Sequence, residues 1–220
     1  MTIRCVIFDL DGTLVDSDGL CNQAFLDLIP ELDLTLDEMV DPFRRRKLDR
    51  IIPGIEQTVG HKLPVDFETP YRARVAELLE TNLKPMPGVH QMLAALDRPM
   101  CIASSGPMAK IRRSPSVSQL APFFGSHVFS SFDVGSWKPA PGLFLHAAST
   151  MGFAPEHCAV VEESPPGIEA ALAAGMSPFL YAPTNSAPPA PSVVQFSDMS
   201  SLLALLGIQL PPPNWSSPLG

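Results

Sequence analysis

Four short stretches carry side chains that could do chemistry together. The first is Asp9-Leu10-Asp11-Gly12-Thr13-Leu14, at the end of the β-branched, apolar run Ile3 to Leu10. Open α/β sheets bind ligands outside the carboxyl ends of their strands, so both carboxylates would stand where a site belongs. One can serve as nucleophile and the other as acid or base, or both can help hold a hard cation. Alone, the pair is equally compatible with a solvated acidic loop. The second is Ser104-Ser105-Gly106, directly after the apolar Met100–Ala103. A hydroxyl and open backbone N–H groups at such a turn can hold phosphate oxygens, although Ser-Gly after a strand is also a common loop opening. The third is Lys138, bracketed by Trp137 and Pro139, where its charge could neutralise a nucleophilic carboxylate and a phosphoryl oxygen together. The competing reading is an ordinary surface lysine. The fourth is Glu162-Glu163, after Val160-Val161. An acidic helix N-terminus explains the two glutamates but not the other three stretches. Four carboxylates meeting at one sheet edge repel unless a cation sits among them, and oxygen-only ligands favour Mg²⁺ or Mn²⁺ over zinc.

The elements that must position these residues read as an α/β fold. Apolar, strand-like runs recur at Met100–Ser104, Val128–Ser130, Ala159–Glu162 and Ser177–Tyr181. Helix-like stretches lie between most of them, at Gly88–Leu96, Leu143–Met151 and Gly167–Ala174. That alternation predicts right-handed βαβ units in a doubly wound, mostly parallel sheet. Residues 17–85 break the rhythm and read as helices only, near Leu20–Ile29, Leu36–Ile52 and Asp66–Leu83. The stretch is too long for a connection within a compact α/β domain. It predicts a helical domain inserted into a core built from residues 1–16 and 86–220, with Pro85-Met86-Pro87-Gly88 as the return leg. Ala182–Ser192 and Leu210–Gly220 are proline-rich and predict irregular loop and tail.

Composition narrows the function classes. The formal net charge of −8 disfavours nucleic acid and anionic lipid as partners. With 45% hydrophobic and 17% charged residues the chain is that of a globular protein. Cys5, Cys21, Cys101 and Cys158 form no CxxC pair and read as reduced core thiols. His61, His90, His127, His146 and His157 show no metal-ligand spacing. No targeting segment and no membrane span is visible, so the expectation is a cytoplasmic monomer.

Taken together, the four stretches resemble the haloacid dehalogenase (HAD) superfamily in order and spacing. Asp9 to Ser17 (DLDGTLVDS) matches the first motif, Ser104 the second, Lys138 the third and Glu162-Glu163 the fourth. The likeness runs from about Ile3 to Tyr181, and the helical insertion falls where this superfamily carries its cap. The resemblance implies a Rossmann-like core with a helical cap, and a Mg²⁺-dependent phosphatase of small phosphorylated metabolites. It implies that Asp9 attacks phosphorus and that Asp11 protonates the leaving oxygen and later activates water. Ser104 and Lys138, with Ser105 and Gly106 beside them, would hold the phosphoryl group. The Asp9 carboxylate, the Asp11 carbonyl and Glu163 or Glu162 would hold Mg²⁺. Such chemistry rests on positioning and charge neutralisation.

The branch it resembles holds β-phosphoglucomutase and 6-phosphogluconate phosphatase, which points to a sugar or sugar-acid phosphate. Asp11 argues against dehalogenation, since the dehalogenases lack that acid. Mutases carry a histidine where this chain has Cys21, which favours hydrolysis over transfer. Glu163 replaces the usual aspartate, lengthening one prospective metal ligand by a methylene. Arg44-Arg45-Arg46-Lys47 lies where the cap lays a loop over the site, so Arg44 and Lys47 are candidate substrate contacts, against a solvated cationic face. A phosphomutase, or a weakly catalytic phospho-ligand binder suggested by Glu163, are the alternatives.

Overall fold

Strand β1 (Cys5–Phe8) shows why its sequence is apolar throughout. Val6 and Phe8 enter one core with Met92, Ile102 and Val161, whereas Cys5 and Ile7 enter another with Cys101, Phe144 and Val160. A strand buried on both faces has no polar side to offer. The computed structural model describes residues 2–36, 38–39, 48–182 and 190–208.

The other strands are β2 (Met100–Ser104), β3 (Val128–Ser130), β4 (Cys158–Glu162), β5 (Ser177–Tyr181) and β6 (Val194–Phe196). All pair in parallel in the order β3-β2-β1-β4-β5-β6. β1 is therefore central, with β2 on one side and β4 on the other. The direction of winding switches there, which opens a crevice at the carboxyl ends of these three strands.

Helices α1 (Asp18–Leu28), α2 (Leu48–Val59) and α3 (Glu68–Asn82) form the insertion. After it come α4 (Val89–Ala95), α5 (Met108–Val117), α6 (Ala121–Phe124), α7 (Ser131–Val134), α8 (Gly142–Met151), α9 (Pro165–Ala173) and α10 (Leu202–Leu205). The insertion has its own apolar cluster, in which Phe25 stacks on Tyr71 at 4.3 Å beside Ile29, Ile55 and Phe67. Its two legs run side by side: Asp16 N–H donates to the Lys84 carbonyl at 3.0 Å and Met86 N–H to the Leu14 carbonyl at 2.9 Å. Chain order and architecture are thus an α/β Rossmann-like core with an inserted helical region.

Several elements differ from the sequence reading, among them the four-residue helices α6, α7 and α10, which it does not predict. α5 forms where no helix is predicted, because MAKIRRSPSV carries few apolar residues and an internal Pro115. β6 is a further strand, only three residues long and with Val194 exposed, close after the proline-rich stretch. α2 runs on through Pro53 beyond the predicted Ile52 end, while residues 40–47 of that stretch lie outside the described residues. So do 209–220 of the tail. No described helix is long and apolar enough to cross a membrane.

Candidate active site

Asp9 is the first residue past β1, and its N–H still bonds the Val161 carbonyl at 2.9 Å, so the nucleophile candidate rides on the sheet itself. Glu162 ends β4 and Glu163 follows it. Lys138 arrives from the opposite side, on the loop between α7 and α8. Its Nζ donates to Asp9 Oδ1 at 2.5 Å and to Glu162 Oε1 at 2.6 Å, and lies 5.0 Å from the centre of the Phe144 ring. Glu162 Oε2 accepts from the Ser164 N–H at 2.6 Å and the Ser164 hydroxyl at 2.8 Å, while Glu163 Oε2 accepts from Thr13 Oγ1 at 2.8 Å. Asp9, Glu162 and Glu163 are all buried, each with a carboxylate oxygen within 4.8 Å of the others'.

Two glycines make this approach possible. Gly167, in the first turn of α9, leaves the space that the Glu162 carboxylate fills. Gly12 turns the chain after Asp11 with φ +76°, a left-handed conformation that favours glycine, and stands against the Glu163 stem.

The electrostatics follow from three buried carboxylates facing one ammonium. Burial pushes the Asp9 carboxyl up to about 7, against the pull of Lys138 and with a further push from Glu162. Glu163 is raised well above the usual carboxylate range by burial and by the charges of Glu162 and Asp9. Burial also opposes the Glu162 charge, but Lys138 and the Ser164 donors outweigh it and hold that carboxyl below its ordinary value. Lys138 loses stability by burial and regains more from Asp9 and Glu162, so its ammonium is held above its ordinary value. The cluster lacks positive charge. All its donors are hard oxygens, and the residues present fit a divalent cation such as Mg²⁺.

Asp11 stands apart from this group. Lys110 Nζ donates to both its oxygens at 2.8 Å, and Ser17 Oγ donates to Oδ1 at 2.7 Å. Ser104, the last residue of β2, is buried and its Oγ accepts the Gly106 N–H at 3.2 Å. Ser105 is exposed. Gly106 is further fixed by its carbonyl, which accepts from Ser130 Oγ at 2.7 Å. Arg44 and Lys47 lie outside the described residues. Sequence reasoning missed Lys110, Ser130 and Ser164, and gave Thr13 and Ser17 no contact of their own. Lys110 had one usable signal, a place four residues beyond Gly106.

The haloacid dehalogenase-like hydrolase family matches residues 3–175, which takes in Asp9, Lys138 and both glutamates. The chain belongs to that family. The 6-phosphogluconate phosphatase of Escherichia coli K12 is 36% identical over 205 residues, covering 91% of this chain and 93% of that protein. Hexitol phosphatase A of the same organism is 31% identical over 181 residues, covering 79% and 81%. Among solved structures, a HAD family hydrolase from Deinococcus radiodurans R1 with bound phosphate and sodium superposes with a TM-score of 0.79 at 27% identity, covering 95% of this chain and 98% of that one. This HAD-like hydrolase has a phosphatase-type active-site architecture, with Asp9 clamped by Lys138 at the carboxyl end of the central strand.

Proposed function

We propose that the chain is a Mg²⁺-dependent phosphatase that hydrolyses a small phosphate monoester, a sugar or sugar-acid phosphate, through an aspartyl-phosphate on Asp9. The observation that carries this reading is the Asp9–Lys138–Glu162 clamp with Glu163 beside it. The likeness to a 6-phosphogluconate phosphatase and a hexitol phosphatase supports the substrate class.

In this reading an Asp9 oxygen attacks phosphorus as the ester oxygen leaves. Lys138, the Ser104 hydroxyl and the N–H groups around Ser105 and Gly106 hold the phosphoryl oxygens. Asp11 gives its proton to the leaving oxygen and then takes one from the water that cleaves the aspartyl-phosphate. Asp9, the Asp11 carbonyl and Glu163 would hold Mg²⁺, which when bound supplies neutralisation of phosphoryl charge. Glu162 has each of its oxygens bonded, to Lys138 and to Ser164, which makes it the support of the clamp and Glu163 the better ligand. Residues 17–85 act as the cap that excludes water. Cys21 opposes the mutase reading, since burial pushes its thiol up and away from acid/base use near neutral pH.

Hydrolysis of p-nitrophenyl phosphate that stops with a chelator and returns with Mg²⁺ tests the reaction. A panel of sugar and sugar-acid phosphates then tests the substrate class. Turnover that persists without any divalent metal contradicts the proposal.

A further inference from the structure

Asp11 has a partner that the reaction outlined above leaves without a role. α5 begins directly after the phosphate-holding turn, and Lys110 lies in its first turn. Its stem passes Gly106, where a Cβ would meet Lys110 Cδ at 3.7 Å. Its ammonium then stands equally, at 2.8 Å, from both oxygens of Asp11. Ser17, which is buried and opens the helical insertion, donates to one of the same oxygens from the other side. Two donors on two different elements leave the carboxylate one orientation among its rotamers.

We propose that Lys110 is a positioning residue for Asp11, fixing the carboxylate where the leaving oxygen emerges. The inference rests on the reading of Asp11 as general acid. The pair is about one third exposed on either side, 32% and 28%, so its value is geometric rather than stabilising. Lys138 already occupies the place of the phosphoryl-neutralising cation, bonded to the nucleophile candidate itself. A second lysine on the acid and not on the nucleophile has a different job.

Leaving-group dependence separates that job from the alternatives. In the first half-reaction the Asp9–phosphorus bond forms, the phosphorus–oxygen bond to the leaving group breaks, and a proton that Asp11 has first taken up from solvent, on an oxygen that gives up its Lys110 bond, goes to the departing oxygen. A p-nitrophenolate leaves without that proton, whereas the alkoxide of an alkyl phosphate does not. kcat/KM reports this step and excludes the later hydrolysis of the aspartyl-phosphate, which is common to both substrates.

The experiment compares kcat/KM for p-nitrophenyl phosphate and for glycerol phosphate in Lys110→Met, Lys110→Arg and Asp11→Asn, with thermal unfolding to show that each is folded. Lys110→Met is expected to lower the alkyl value by about 10- to 100-fold and the aryl value by no more than about threefold, since general acids contribute ~10²–10⁴ and a displaced one forfeits part of that. Lys110→Arg, which can also donate to both oxygens, is expected to restore most of the alkyl rate. An equal fall for both substrates, or no fall, overturns the proposal and makes Lys110 a phosphoryl contact or a bystander. If Asp11→Asn shows the leaving-group dependence and Lys110→Met does not, only the proposal fails. If Asp11→Asn shows none, the acid assignment fails and takes the proposal with it.

Discussion

Replacing Gly167 with alanine should switch the enzyme off without unfolding it. Gly167 has no left-handed φ, so the backbone does not call for glycine, and a helical Gly→Ala change normally stabilises by about 0.5–1 kcal/mol. Here the added Cβ would lie 1.9 Å from Glu162 Oε1 and 2.0 Å from its Cδ. Non-bonded atoms of this size settle at about 3.5 Å, so the carboxylate must retreat by roughly 1.5 Å. Hydrogen bonds tolerate only a few tenths of an ångström, so the 2.6 Å bond to Lys138 is lost and Lys138 is released from one of its two carboxylates. Errors of about 1 Å at a reacting centre cost ~10²-fold, and that is the expected fall in kcat/KM. Leaving a buried charge without its partner costs about 3–5 kcal/mol, so the melting temperature should fall rather than rise. Steady-state kinetics on p-nitrophenyl phosphate and thermal unfolding measure both effects. Combining the change with Glu162→Asp, which draws the carboxylate back by one methylene, should recover part of the loss. A folded Gly167→Ala enzyme with more than a third of the parent's kcat/KM would refute the idea that Glu162 must stand where it does.

Glu163→Asp should keep activity and shift the Mg²⁺ or Mn²⁺ requirement, whereas Glu163→Gln should weaken metal binding by ~10–100-fold, as read from metal titrations of the rate. Greater loss of metal affinity from Glu162→Gln would exchange their roles. Asp9, pushed up to about 7 by burial, holds a proton over part of the neutral range that a metal ion must displace, and the raised Glu163 carboxyl acts in the same direction. Mg²⁺ affinity should therefore rise with pH through the neutral range, by up to about tenfold per unit for each proton released, and calorimetry in two buffers should detect the protons. An affinity flat with pH contradicts those raised values.

Much of this was legible because a central parallel strand needs apolar residues on both faces and then delivers its polar residues abruptly at its end. Asp9, Ser104 and Glu162 each follow such a run, so their types and places could be read together. Lys110 could not be found that way. Its partner Asp11 is 99 residues away in sequence, and the helix that carries it buries Ile111, Ser114 and Pro115, of which only Ile111 is a strongly apolar side chain that a sequence pattern would mark. The separation of the four acidic groups into three that cluster and one held by Lys110 was equally hidden, since it depends on side-chain directions at the strand ends. The sequence places Glu163 at the position of the usual aspartate ligand, but the opposite electrostatics of Glu162 and Glu163 depend on their partners. Glu162 is bonded by Lys138 and two Ser164 donors, while on Glu163 burial and the charges of Glu162 and Asp9 outweigh the pull of Lys138 and the Thr13 hydroxyl.

The most direct test of Asp9 as nucleophile is acid-quenched turnover with Mg²⁺ and a good substrate, followed by mass spectrometry of the N-terminal peptide. One phosphoryl group is expected on Asp9, accumulating further when Asp11→Asn slows its hydrolysis and absent in Asp9→Asn, which should be inactive. Phosphate on Asp11, or substantial turnover by Asp9→Asn, would contradict it.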